Sequence, residues 1–210
     1  MKLYGTITLL LVVAVLIVAP HVRAQQEVKR LEGETAEAFV RRNAPVGSEL
    51  ARPAIETDAW GRTRTVIAFY KVEAKAKDGT PFSQVDGYMF VPKTPDLYQR
   101  ILINHFEPEG SAPEIRAVFF ANADKDPARE LVVICSWEQV HYDVHGTLYG
   151  TFIFDDVLGP TDRTQLRFLE GTSDKVSGGC DCDYRDGGKG TKKFRTAAQV
   201  KAGLRNLGYR

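Results

Sequence analysis

The 210-residue sequence predicts a mainly β protein, an antiparallel sheet, β-sandwich or propeller-like fragment with a short helix near each end. Three observations carry that expectation. Apolar runs of strand length recur between turn residues from Arg64 to Leu169. Helical spacing occurs in only two short segments, one on each side of that region. The composition, 43% apolar and 26% charged, is that of a chain able to bury a core rather than a disordered one.

The first residues read as an address. Met1 and Lys2 precede an apolar run from Ile7 to Ala19, which Pro20 and His21 end before Val22-Arg23-Ala24. This layout predicts a secretory signal peptide over residues 1–24, cleaved after Ala24. The run falls short of the ~20 apolar residues that a membrane span requires. A secreted or periplasmic protein with no span after cleavage is therefore expected. Residues 25–210 would form one β-rich domain.

Glu34 to Arg42 places Ala36, Phe39 and Val40 on one helical face, and Pro45 and Gly47 end it. Val66, Ala68, Tyr70 and Val72 then line one face of an alternating strand, with the charges of KVEAKAK on its solvent side. Asp78-Gly79 turns the chain into a second strand, Val85 to Val91. Further strands are expected over Tyr98–Phe106, Ile115–Ala121, Leu131–Val140 and Thr147–Phe154, the last two joined by a turn at His145-Gly146. Gln165–Leu169 is a candidate seventh strand. The Gly/Asp/Lys-rich stretch 171–193 reads as a long loop. Thr196 caps a final helix over residues 196–207, with Val200, Leu204 and Leu207 on one face and Gly208 at its end.

Cys135, Cys180 and Cys182 would all meet an oxidising compartment. An odd number leaves one over. The favoured pairing joins Cys135 to one of the other two; the alternative is a free core thiol with a Cys180–Cys182 bridge.

The strongest chemical signal is Asn122-Ala123-Asp124-Lys125-Asp126-Pro127-Ala128-Arg129-Glu130. Oxygen side chains at alternating places in a tight loop suit a hard cation, which takes six to eight oxygens at about 2.3–2.6 Å. The apolar strand IRAVFFA leads in and LVVICSW leads out. Together these resemble the FG-GAP or VCBS repeat of integrin-α-type β-propellers, over residues 115 to 154. The resemblance implies calcium held by the side chains of Asn122, Asp124, Asp126 and Glu130 and the carbonyl of Ala128. It also implies loops presented to a protein or polysaccharide partner. The sequence departs from the repeat at Asn122, where the repeat has Asp, and at Pro127, where it has glycine. Proline fixes φ near −65°, so this loop must turn differently. One copy is visible, and the chain supplies only about three blades where closure takes at least four.

On an extended strand His141, Asp143 and His145 would share a face and could hold a transition metal, although a packed or binding surface is the commoner use of such residues. Trp137, His141, Tyr142 and Tyr149 are the candidate partner contacts. The near balance of 28 Lys+Arg and 27 Asp+Glu argues against nucleic-acid binding. No nucleophile elbow, zinc-protease helix, phosphate loop or dinucleotide fingerprint occurs, so no catalytic residue is assigned. The expected function is an exported binding or interaction protein of the cell envelope. One alternative is a hydrolase or hydrolase inhibitor acting on sugar polymers or peptidoglycan, with Glu107, Glu109, Glu138 and Asp143 as its acids. Another is a purely structural envelope protein.

Overall fold

The computed structural model describes residues 27–61, 64–157 and 162–209; the expected signal peptide lies outside them. In chain order the elements are β1 (Glu27–Lys29), α1 (Ala36–Arg42), β2 (Glu49–Leu50), β3 (Ile55–Thr57), a single 3-10 turn at Ala59–Gly61, β4 (Thr65–Lys75) and β5 (Pro81–Pro92). There follow β6 (Leu97–Phe106), β7 (Glu114–Ala121), β8 (Glu130–Val140), β9 (Val144–Phe154), α2 (Glu170–Lys175), β10 (Gly179–Tyr184) and α3 (Ala197–Asn206). The protein is mainly β, with antiparallel, curled sheets and three short helices.

One sheet runs β1-β6-β5-β4-β2, with β3 also on the outer edge of β4, and the other runs β10-β9-β8-β7. Their facing sides share one core. Ile67, Phe69, Met89, Ile101 and Ile103 come from the first sheet, and Leu131, Val133, Cys135, Trp137 and Phe154 from the second. Side chains alternate along a strand, so the intervening residues point outward, and here they are apolar too. Helix α1 covers the outer face of the first sheet, where Phe39 and Val40 pack on Val66, Ala68, Tyr70, Phe90 and Tyr98. Helix α3 covers the second, where Val200 and Leu204 pack on Val132, Ile134 and Ile153. Each large apolar side chain buried this way contributes roughly 1.5–3 kcal/mol.

Both outer helices start at a threonine. The Thr35 hydroxyl accepts from Ala38 N at 3.2 Å and the Thr196 hydroxyl from Gln199 N at 3.3 Å, satisfying amide groups that the helix itself leaves open. The Asp78-Gly79 turn forms as expected, with Gly79 at φ 86° and Thr80 N donating to the Asp78 carboxylate at 3.0 Å.

Several expectations are corrected. The β8–β9 turn lies at Tyr142-Asp143, closed by His141 N donating to Val144 O at 2.9 Å, not at His145-Gly146. Gly146 belongs to β9 opposite Cys182, where a Cβ would overlap the Asp181 carbonyl; its glycine permits close strand approach rather than a turn. The 171–193 stretch is not one loop, since it contains most of α2 and all of β10. Residues 165–169 form isolated bridges at Gln165 and Phe168 instead of a strand. Leu207 follows α3 and is 44% exposed, so it is not part of the buried face.

The disulfide joins Cys180 to Cys182, with Cα atoms 5.2 Å apart, and Cys135 is free and buried. Cys135 points into the inter-sheet core from β8, while β9 separates that strand from β10. Burial pushes its thiol well above the ordinary range, which makes it a packing group rather than a nucleophile.

Among the described residues, the edge of β9 beyond Tyr149 has no strand partner, and other groups satisfy it. Thr151 N donates to the Ser177 hydroxyl at 2.7 Å, Ile153 N to the Ser173 hydroxyl at 3.0 Å, and Asp155 N to Arg167 O at 2.9 Å. An edge covered in this way offers no template for another strand.

The Gly146 contact and the open surroundings of Gly171, which has nothing within 4 Å of an added Cβ, give a paired prediction. Gly146→Ala should lower the unfolding free energy by about 2–4 kcal/mol. Gly171→Ala in α2 should leave it unchanged or raise it by up to about 1 kcal/mol. Urea denaturation of the two variants checks both.

Candidate metal centre

The β7–β8 connection begins at Asn122 and ends where Ala121 pairs with Glu130. Glu130 is the first residue of a strand whose first eight residues are all buried. Leu131 turns toward the inter-sheet core, so alternation sends the Glu130 side chain to the opposite face, beneath the loop. Its exposure is 0%. Oε2 accepts from the amide of Ala123, itself fully buried, while among the described residues Oε1 has no hydrogen-bond partner.

The loop folds over this carboxylate by two overlapping side-chain turns. Asp126 N donates to Asp124 Oδ1 and Ala128 N to Asp126 Oδ1, each at 2.8 Å. Such turns let an aspartate replace a backbone carbonyl as acceptor. No residue from Asn122 to Glu130 has positive φ, so Pro127 is accommodated without the glycine of the resembled repeat. The Asn122 amide donates to Asp126 O at 3.0 Å, and its buried Oδ1 has no partner among the described residues. At the far end, Trp60 Nε1 donates to Arg129 O, and the Trp60 ring meets Phe120 edge-on at 5.5 Å between centroids.

Asp124, Asp126 and Glu130 each place a carboxylate oxygen within 4.8 Å of the other two. These three acids could hold a metal ion. Burial, opposed by the Ala123 amide and reinforced by the charges of Asp124 and Asp126, pushes Glu130 up from 4.5 to about 7. Together with the Asn122 oxygen, two buried acceptors here lack a donor, a costly arrangement unless a cation faces them.

The other candidates fall elsewhere. Trp137 is 4% exposed, and its indole donates to Glu107 O at 2.9 Å. Its place on the inter-sheet face of β8 removes it from any contact surface. Tyr149 is half-buried against the face that α3 covers. His141 is exposed, and Tyr142, 84% exposed, lies under the Arg185 guanidinium at 3.9 Å. His141, Asp143 and His145 do not share a strand face, because the turn falls among them, and among the described residues they form no metal-sized group.

Two arrangements escaped the sequence reading. Asp86 and His105 are cross-strand partners on β5 and β6, with Nδ1 and Oδ1 2.6 Å apart and Gln84 Nε2 also donating to that oxygen at 2.6 Å. They lie 19 residues apart in sequence, and only strand register brings them together. Trp60 is likewise joined to the loop only by the tertiary fold.

The Glu130 shift has a definite sign. The folded state retains a proton between pH 4.5 and about 7 that the unfolded chain has lost. In chelator, stability should therefore fall as pH rises through that window and level off above it, by on the order of 3 kcal/mol in all. Urea midpoints measured across the window check this, and Glu130→Gln should remove most of the slope. Compared with known proteins, the chain matches no protein-family model, no curated protein and no solved structure.

Proposed function

We propose that this chain is an exported binding or interaction protein of the cell envelope whose β7–β8 loop is stabilised by calcium. The observation that supports the reading is the fully buried Glu130 carboxylate, with one oxygen unpartnered and two further carboxylates beside it. An uncompensated buried carboxylate costs several kcal/mol, and neighbouring acids add repulsion. A divalent cation would offset both.

The donors favour calcium among the divalent ions. Asp124, Asp126, Glu130 and Asn122 offer oxygen only, with the Ala128 carbonyl and water to complete the shell. Zinc and copper favour nitrogen and sulfur. The FG-GAP-like spacing supports the same ligand set. Export is supported by the signal-like residues 1–24 and by the Cys180–Cys182 bridge, since disulfides persist in oxidising compartments. Among the described residues, no helix is long and apolar enough to cross a membrane. His141 and exposed Tyr142, at the β8–β9 turn, offer a contact point for a protein or polysaccharide partner.

A thermal melt with excess calcium and with chelator tests the cation. At a hundredfold excess over Kd the native state should gain about 2.7 kcal/mol, a shift of several degrees. Asp124→Ala and Asp126→Ala should each abolish most of that shift. A wild-type midpoint indifferent to calcium would sink the reading.

A further inference from the structure

The same loop borders a second feature, of opposite charge. A cavity of about 270 Å³ lies between the end of β7 and helix α3, lined by Phe120, Asn122, Arg129, Lys201, Arg205 and Tyr209 among others. Lys201 and Arg205 are four residues apart on α3 and so project from one helix face, on either side of buried Leu204. Arg129 faces them from the loop.

These cations are uncompensated. From Gly187 to Arg210 the sequence holds seven Lys and Arg and no Asp or Glu. Three of them are paired: Lys189 with Asp183 at 2.7 Å, and Lys192 and Arg195 both with Asp181, at 2.7 and 2.5 Å. Among the described residues, Arg129, Lys201 and Arg205 join no ion pair. Lys201 Nζ lies 5.1 Å from the centre of the Phe119 ring. Concentrating like charge at one concavity raises the potential there and attracts an anion.

The geometry points to a binding site for a ring-borne anion, a carboxylate or phosphate carried on a sugar-sized ring. Guanidinium groups present planar forks that match either oxyanion. Phe120, Leu204 and Tyr209 supply apolar walls against which a ring packs. The volume is slightly below the ~300 Å³ at which drug-sized sites begin. The site therefore takes one ring, such as a terminal or side-chain unit of an acidic polymer, rather than a length of chain. This assignment goes beyond the proposed function, adding a small-anion site away from the β8–β9 turn, and it does not depend on the cation.

Calorimetric titration of the protein in chelator tests the site apart from calcium. The probes are glucuronate, glucose 6-phosphate, glucose and inorganic phosphate. At least one ring anion should bind saturably in the millimolar range or tighter, about tenfold more strongly than glucose or phosphate. Preference between the two ring anions identifies the oxyanion. Lys201→Gln and Arg205→Gln should each weaken binding several-fold with an unchanged melting temperature. Lys193→Gln, which removes the same charge outside the cavity, should not. No saturable binding of either ring anion, equal binding of glucose, or equal loss in Lys193→Gln would overturn the assignment.

Discussion

Both faces of both sheets are apolar, and burying four surfaces rather than two governs the rest of the molecule. A sandwich of two sheets buries its inner faces and leaves its outer ones in water. Here Val66, Ala68 and Tyr70 on one side, and Val132, Ile134 and Ile153 on the other, would remain exposed without α1 and α3. The short helices are therefore outer layers of the core, and their threonine caps are as much a part of it as their apolar residues. The edge of β9 follows the same logic, because Ser173 and Ser177 complete its hydrogen bonding where β10 no longer reaches.

That burial explains why the carboxylate of Glu130 matters. It stands at the first position of the most buried strand and faces outward into a layer that α3 otherwise closes with apolar residues. An acid at the surface end of a loop would be solvated and nearly neutral in its effect. At 0% exposure, with one oxygen unpartnered, it instead ties the stability of the loop to whatever charge faces it. Among the described residues, Arg129, Lys201 and Arg205 form no ion pair with Asp124, Asp126 or Glu130. Asn122 borders both features, with its oxygen in the acidic loop and its side chain lining the cavity. The acidic loop and the basic cavity thus adjoin at the end of β7.

Strand existence was legible because alternation and turn chemistry are local. The runs around Val66, Val85, Ile101, Val118, Val133 and Phe152 all form strands, and the last helix starts where Thr196 caps it, while the first starts two residues later than Glu34, after Thr35. Errors arose where a residue's role depends on something distant in the chain. Gly146 looked like a turn residue, but its glycine serves an approach to β10. Trp137 looked like a contact aromatic because the sequence cannot say which face of β8 meets the other sheet. The 171–193 segment looked unstructured since its glycines admit close backbone contact, a use that composition alone does not distinguish from a loop.

The sequence by itself determined the mainly antiparallel β class, the two terminal helices with the Thr196 cap, and the loop with oxygen side chains at Asn122, Asp124, Asp126 and Glu130, because each is written in residues close along the chain. Only the tertiary structure decided that Glu130 is buried and lacks a partner for one oxygen, that Cys135 is separated from the other cysteines, that Asp86 meets His105, and that Arg129 faces Lys201 and Arg205 across a cavity. Those outcomes depend on which face each strand presents and which elements cover it. Period-two alternation fixes that two faces exist, whereas the packing of sheet on sheet and helix on sheet fixes which one is inside.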